Sequence, residues 1–464
     1  MSTGNTHFGA EKIGQMLADC GSIFFIGIGG VNMSSLAQIS SLRGFRVGGS
    51  DRTKTAVTER LEREGLTVFY GHSAQNVEDY DAVVYTVAIS EDNPEYVRAM
   101  ERGIPCISRA DYLGYLMTGY ERRIGVCGMH GKSTCTSMCA QVFMDAEVDP
   151  TVLSGAAMKS MGGASRVGGR EHFIFEACEY MDSFLDFYPT VAIILNVELD
   201  HVDYFKSMEH IYRSFGQFAA KTGRGGVVIA NGDDENVRRS LVGFEGKVLW
   251  FSRMDSSADF FADAVSFSHG RASFDLVVKG EMICRVSLAV TGEHNVYNAL
   301  AAGAAAYISG ISGEAIAKGL ANFRGAERRM EYKGKFLGAD VYDDYGHHPT
   351  EVATTLAGAA QMGYRKLFCV FQSHTYSRTI GLFEEFKGAF GSADEAIIAD
   401  IYAAREVDTG VVSAKKLADA LPNGKYVGDL ASIVQYLEKT VTPDDLVVVM
   451  GAGDIYKIFP LMGL

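Results

Sequence analysis

The chain has 464 residues, 47% of them hydrophobic, which is enough to bury a full core and to divide into about three domains. A net charge of -14 sets up a field that repels nucleic acid and anionic membrane surfaces, so any anionic ligand must be held by local donors. The eight cysteines show no paired spacing, and Cys135 and Cys139 lack the partners of a zinc site; with no apolar leader and no apolar run of about 18 residues, the expectation is a cytoplasmic protein.

Through the first 118 residues one unit recurs: an amphipathic helix, a glycine, then a short apolar strand. "LAQISSLRGFRVGGSD", "TERLEREGLTVFY" and "EYVRAMERGIPCIS" put Gly44, Gly65 and Gly103 where a helix end calls for a left-handed residue. Such alternation predicts a parallel sheet. The opening strand "SIFFIGIGG" runs through Gly27, Gly29 and Gly30 into a helix near Asn32, where backbone amides would meet a diphosphate. Asp51, ending the second strand, stands where a carboxylate takes a ribose hydroxyl. Because Asn32 fills the last glycine position of G-x-G-x-x-G, a bare strand-to-helix turn remains beside the dinucleotide reading.

A second glycine-rich loop, "GVCGMHGKSTCTSM" (Gly125 to Met138), opens the middle region and argues against a plain dehydrogenase, pointing instead to two phosphorylated ligands. Gly131, Lys132 and Ser133 match the core of G-x-x-x-x-G-K-[ST], while Val126 holds its leading glycine position. Gly128 and Gly131 still supply the turn and the close backbone approach that a phosphate needs. The apolar strands "HFIFEACE" and "TVAIILNVELDH" lead to Glu176 and His201, on the edge where the loop sits. Ser133 and Glu176 suit Mg2+; His201 is softer than Mg2+ prefers, so a structural role stands equally beside a ligand role. Residues 258–290 alternate like antiparallel strands, and "GEHNVYNALAAGAAAYISG" predicts a helix carrying His294, Asn295 and Asn298, the last too far in to be a cap.

The final segment again alternates strand and helix around "GADVYDDYGHHP", "KLFCVFQSHTYSR", "EAIIADIY" and "DLVVVMGAGD". Asp343, Asp344, His347, His348, His374 and Arg378 crowd strand ends, as at a catalytic edge. Arg328 and Arg329, at the entry to this segment, are either a solvated linker or cations within reach of a transferring phosphate.

"FFIGIGG", "GSD", "GHSAQNV", "GMHGKST", "NVELDHVDYF", "GEHNVYNALAA", "DDYGHHPTEV", "SHTYSRT" and "VMGAGDIYK", in that order, resemble the Mur ligase family over nearly the whole chain. The resemblance implies an α/β protein of three domains: a Rossmann-like parallel sheet holding a UDP sugar (1–118), a P-loop ATPase-like domain with an antiparallel extension holding ATP (119–324), and a Rossmann-like C-terminal domain holding an amino acid (325–464). By that resemblance Gly128, Met129, His130, Gly131, Lys132, Ser133 and Thr134 would cradle the triphosphate, with Ser133, Glu176 and His201 on Mg2+. His294, Asn295 and Asn298 would contact adenine, with Arg329 and Asp344 clasping the nucleotide from the far side. Gly27, Gly29, Gly30, Asp51 and His72 would bind the uridine diphosphate end of the sugar substrate, and His347, His348, His374 and Arg378 its reacting end and the amino acid. The implied catalytic set is Lys132, Glu176, His201, Arg329, His348 and Arg378.

The implied activity is ATP-dependent joining of L-alanine to the lactyl carboxylate of UDP-N-acetylmuramate through an acyl phosphate, in peptidoglycan precursor synthesis. The alternatives are a recycling ligase that attaches a preformed peptide to the same sugar nucleotide, and an idle nucleotide-binding homologue. The expected partners are the two substrates, with no nucleic acid and no membrane, and a monomer or weak homodimer. The chain departs from the family at Asn32, at Cys178 where an acidic residue is usual, at Gly346 in place of alanine, and at Thr375 in place of arginine.

Overall fold

Short buried strands separated by helices have no hairpin partner next to them in sequence, so they stack side by side in parallel. The computed structural model describes residues 3–201, 204–404 and 406–464 and shows three α/β domains, each with its own sheet. The first sheet contains β1 (Ser22–Ile26), β2 (Arg46–Asp51), β3 (Thr67–Tyr70), β4 (Ala82–Tyr85) and β5 (Cys106–Ser108), all parallel, in the order β3-β2-β1-β4-β5. The strand order reverses between β1 and β4, and the Gly27–Gly30 turn leaves β1 at that switch point, where ligands of open parallel sheets bind. Gly44, Gly65 and Gly103 all take positive φ after their helices, as the repeated pattern predicted.

The second sheet has ten strands: β6 (Arg122–Cys127), β7 (Thr151–Met158), β8 (Gly163–Arg166), β9 (His172–Glu176), β10 (Val191–Ile194), β11 (Val227–Asn231), β12 (Lys247–Ser252), β13 (Phe260–Ser268), β14 (Arg271–Val278) and β15 (Glu281–Thr291). β6 lies between β9 and β10 with both neighbours parallel. Val126 pairs in register with Glu176, and Cys127 with Ile194, so the glycine loop, Glu176 and the segment after β10 leave the sheet at one edge. β13 to β15 form the antiparallel extension expected from their alternating pattern.

The third sheet contains β16 (Glu331–Phe336), β17 (Ala339–Asp344), β18 (Leu367–Phe371), β19 (Glu395–Ala399), β20 (Gly424–Gly428) and β21 (Leu446–Met450), in the order β16-β17-β21-β18-β19-β20. Only β16 runs antiparallel to its neighbour. Asp344 and Phe371 both pair with Met450, which brings the segments after β17, β18 and β21 to one edge. Arg328 does not sit in a solvated linker: it is 3.2 Å from Asp343 and donates to the Gly451 carbonyl. Among the described residues no helix is long and apolar enough to cross a membrane.

The helix Arg109–Met117 lies between the first two sheets and meets the second domain at Gly114, where a Cβ would press on the Asp186 carbonyl. Overpacking of this kind costs about 1–3 kcal/mol. Gly114→Ala is therefore expected to lower the urea unfolding midpoint while the far-ultraviolet dichroism of the folded protein stays the same. An unchanged midpoint would show that the two domains are not held together there.

Candidate functional site

The glycine loop forms because the backbone must reverse twice between β6 and the helix Lys132–Asp145. Gly128 has φ 140 and Gly131 φ 81, and a Cβ at Gly131 would stand 2.7 Å from Asn298 Oδ1. Gly131 is the N-cap residue and provides no side-chain cap, so the first amides of this 14-residue helix are left for a ligand and carry the positive end of its dipole. Asn196 braces the loop: its carbonyl accepts from Met129 N at 3.3 Å, its Oδ1 from His130 N at 2.8 Å, and its Nδ2 donates to the His130 carbonyl at 3.0 Å.

Lys132 Nζ donates to the Gly128 carbonyl at 2.6 Å and the Met129 carbonyl at 3.1 Å, and lies 3.0 Å from Glu179 Oε2. Burial disfavours the ammonium, but Glu179 outweighs it and holds the Lys132 pKa above its ordinary value. Glu179 is fully buried, yet the charges of Lys132 and His201 hold its pKa below the usual carboxylate range. Cys178, the neighbour that replaces a family acid, is a thiol pushed up to about 11 by burial and by Glu179, so it adds no charge.

Ser133 Oγ donates to Glu176 Oε2 at 2.8 Å, and Gly155 N donates to the same oxygen at 2.8 Å. A hydroxyl and a carboxylate side by side are the hard oxygen donors that Mg2+ takes, and phosphate oxygens would complete such a site. His201 Nε2 lies 3.2 Å from Glu179 Oε1, and its ring is tilted by 45° against that of Tyr180 with centroids 4.8 Å apart. It has φ 50, and the adjoining Val202 and Asp203 lie outside the described residues.

Beside the loop lies a cavity of about 530 Å3 walled by the second and third domains. His130, Gly131, Thr134 and Glu198 line the loop side; His294, Asn295 and Asn298 line the base; Arg329, Asp344 and Glu351 close it from the C-terminal domain. Asn295 does not cap its helix; its Nδ2 donates to the Thr291 carbonyl at 2.7 Å, and Asn298 Nδ2 donates to Asn295 Oδ1 at 3.0 Å. Burial and the Arg329 charge push His294 down to about 4, leaving a neutral ring whose buried Nδ1 has no hydrogen-bond partner among the described residues. Such a group suits a heterocycle. Asp344 accepts from Gly346 N at 2.8 Å and Met330 N at 2.9 Å, and burial raises its pKa.

At the mouth of the cavity the domains are clasped. His130 Nε2 is 2.7 Å from Glu198 Oε1, and its Nδ1 is 3.3 Å from Glu351 Oε1. Burial opposes its charge, but these two carboxylates prevail and push His130 up to about 9. His348 Nδ1 is 2.9 Å from the same Glu198 oxygen, and Thr350 Oγ1 donates to it at 2.8 Å. Further along, Arg378 bridges Asp200 at 3.4 Å and His374 Nδ1 at 3.3 Å. His347 faces His374 with ring centroids 5.9 Å apart, and burial pushes it down to about 4. Thr375, in place of the family's arginine, takes φ 70 and caps a short helix through a hydrogen bond from Arg378 N.

In the first domain Asp51 Oδ2 accepts from Gly29 N at 2.9 Å, closing the turn on itself. His72 Nδ1 is 2.7 Å from the fully buried Glu95, which also accepts from Ser50 Oγ and Asn76 Nδ2. These groups stand on the first sheet's edge and make none of the contacts just described for the loop or the cavity.

Three Mur ligase family profiles match the chain in order: the one described as the family's catalytic domain at residues 22–121, the middle domain at 126–306, and the glutamate ligase domain at 328–453. The UDP-N-acetylmuramate--L-alanine ligase of Acetivibrio thermocellus is 43% identical over 441 residues, 94% of each chain. That of Caldanaerobacter subterraneus subsp. tengcongensis is 44% identical over 441 residues, 94% of this chain and 96% of its own. The chain belongs to the Mur ligase family. Among solved structures, the UDP-N-acetylmuramate-alanine ligase of Thermotoga maritima superposes with a TM-score of 0.77 at 27% identity, covering 95% of this chain and 98% of that one. A murein peptide ligase of Psychrobacter arcticus, with TM-score 0.69 at 24% identity over 95% and 98%, shares the fold.

In this Mur ligase the carboxylates and amides that organise the site were less visible in the sequence than the loop itself. Asn196, Glu198 and Glu351 act on partners distant in sequence or in another domain, and the only local signal was their place just past an apolar strand or at a helix start. The clasp makes a measurable prediction. His130 faces Glu198, Glu351 and the His348 ring, so its charge is present below the ordinary histidine pKa of about 6.5 and is lost only as pH rises through about 9. Imidazole resonances assigned with His130→Gln should titrate with a midpoint near 9. A midpoint at or below about 6.5 contradicts the clasp.

Proposed function

We propose that this Mur ligase joins L-alanine to the lactyl carboxylate of UDP-N-acetylmuramate, consuming ATP and releasing ADP and phosphate. The observation that carries the reading is an uncapped phosphate loop opening onto a nucleotide-sized cavity between two domains, in a chain 43% identical over 94% of its length to a ligase named for those substrates. We take 1–118, 119–324 and 325–464 as the domain limits, and a cytoplasmic monomer or weak dimer as the working form.

The chemistry follows from the charges. The loop amides and Lys132 receive the triphosphate, with Lys132 exchanging its contacts to the Gly128 carbonyl and Glu179 for phosphate oxygens. Bound Mg2+, held by Ser133 and Glu176 together with phosphate oxygens, would neutralise negative charge on the transferring group. The lactyl carboxylate attacks the γ-phosphorus, the bond to the β-phosphate oxygen breaks, and ADP leaves an acyl phosphate. The alanine amine then adds to the acyl carbon, loses a proton, and the tetrahedral intermediate expels phosphate. Arg378, at the meeting of the second and third domains, is placed to hold a carboxylate in that exchange. His294, Asn295 and Asn298 take the base, while Arg329 and Asp344 hold the nucleotide from the C-terminal domain. Gly27 to Gly30, Asp51 and His72 bind the uridine diphosphate. His201 orients Glu179, which keeps Lys132 charged until the nucleotide arrives.

Incubation with ATP, Mg2+ and UDP-N-acetylmuramate should release ADP only when L-alanine is added, and faster than with a preformed tripeptide at equal concentration. Faster release with the tripeptide would assign the chain to peptide recycling, and none with either would mark an idle homologue. Lys132→Ala should lower kcat by about 100-fold or more with the fold intact, because it removes a charge aimed at the transferring phosphate. Turnover within about threefold of the unmodified protein would remove Lys132 from that role.

A further inference from the structure

We propose that Glu198 is a positioning residue that ties the phosphate loop to the C-terminal domain, so that the loop is set for transfer only while that domain is seated. The inference deepens the proposed ligase reading and rests on it for its kinetic arm. Glu198 follows β10 by four positions and collects donors from two domains on one carboxylate. His130 Nε2 approaches Oε1 at 2.7 Å from the loop; His348 Nδ1 approaches the same oxygen at 2.9 Å from the C-terminal domain. Thr350 Oγ1, in the first turn of the helix Pro349–Ala360, donates to Oε1 at 2.8 Å and lies 3.1 Å from Oε2.

The proton arrangement makes the clasp directional. An oxygen shared by two imidazole nitrogens requires a hydrogen on each, since a carboxylate can only accept. His348 Nδ1 also lies 3.3 Å from Thr350 N–H, and one nitrogen cannot both donate to Glu198 and accept from Thr350. The shorter contact prevails, so the ring points its N–H across the domain boundary to Glu198. On the other side Glu351 Oε1, from the same C-terminal helix, lies 3.3 Å from His130 Nδ1, and the rings of His130 and His348 meet at a tilt of 37° with centroids 4.8 Å apart. One loop residue, immediately before Gly131 and Lys132, thus meets the C-terminal domain through Glu198 at its Nε2 and faces Glu351 of the C-terminal helix across its Nδ1.

Two imidazoles and a carboxylate with ligand atoms within 4.8 Å of one another also have the make-up of a metal site. The separations of 2.7 and 2.9 Å to a single oxygen are those of shared protons, and Glu198 already takes the Thr350 hydroxyl as well. Nor is the cluster a core prop: the Glu198 side chain remains 31% exposed, so its loss opens no cavity in the interior. Its energetic weight falls on geometry, where a displacement of about 1 Å at the reacting groups costs on the order of 100-fold in rate.

The test compares Glu198→Gln, Thr350→Val and the double variant for kcat, for the KM of each substrate, and for the Kd of a non-hydrolysable ATP analogue measured without turnover. Hydrogen–deuterium exchange across residues 349–356 is followed with and without that analogue. In Glu198→Gln kcat should fall by about 30- to 100-fold while the analogue's Kd changes by less than about threefold, because the loop amides and Lys132 remain. The double variant should be no slower than Glu198→Gln alone, since both changes cut one clasp. Analogue-induced protection of residues 349–356 should be present in the unmodified protein and lost in Glu198→Gln. The proposal is overturned if kcat stays within about threefold, if Kd worsens as much as kcat falls, if the single effects multiply, or if protection survives in the variant. The exchange arm needs no turnover, so absence of ligation by the unmodified protein would sink the ligase reading while leaving the clasp separately decided.

Discussion

The site depends on one largely buried cation. Lys132 is placed by a loop whose two glycines let the backbone fold under it, and it is kept charged by Glu179, a carboxylate with no exposed surface. Buried ion pairs contribute little net stability, because desolvating both charges offsets their attraction. What such a pair secures here is readiness: the ammonium is already largely withdrawn from water and held at the helix N-terminus, so a phosphate that replaces the loop carbonyls and Glu179 meets a charged donor in place. In a protein of net charge -14, anions gain nothing from the long-range field, which concentrates the task in this short segment.

The fold brings partners to that cation from two sheets. β6, β9 and β10 leave their sheet at one edge, giving the loop, Glu176 and the Asn196–His201 segment a common floor. The third sheet presents the segments after β17, β18 and β21 toward the same place. The resulting cavity is an interface, with a base-binding wall from the second domain and a lid of Arg329, Asp344 and Glu351 from the third. A ligand filling it touches both domains, so binding and domain placement share one free energy.

Much of this was legible in the sequence where local rules govern. The glycines after the first-domain helices take positive φ, the antiparallel extension follows its alternating pattern, and Asn298, too deep in its helix to cap it, faces Gly131. The edge strands β16 and β20 escaped notice because they are short, polar and half exposed, with neither an apolar run nor clean alternation. The carboxylates Glu198 and Glu351 escaped because their meaning lies in partners that only the folded chain assembles. From its place after a strand His201 suited a structural and a ligand role equally, and the family resemblance grouped it with Ser133 and Glu176; the left-handed turn at that residue sets its Nε2 beside Glu179.

The central claim is that the Gly128–Thr134 segment receives a triphosphate through Lys132. It is tested most directly by a crystal structure of the protein with a non-hydrolysable ATP analogue and Mg2+. The account predicts γ-phosphate oxygens within about 3.2 Å of Lys132 Nζ and of the first amides of the helix Lys132–Asp145, with the lysine drawn away from the Gly128 carbonyl. A triphosphate lodged elsewhere, with Lys132 still held by Gly128 and Glu179, would contradict it.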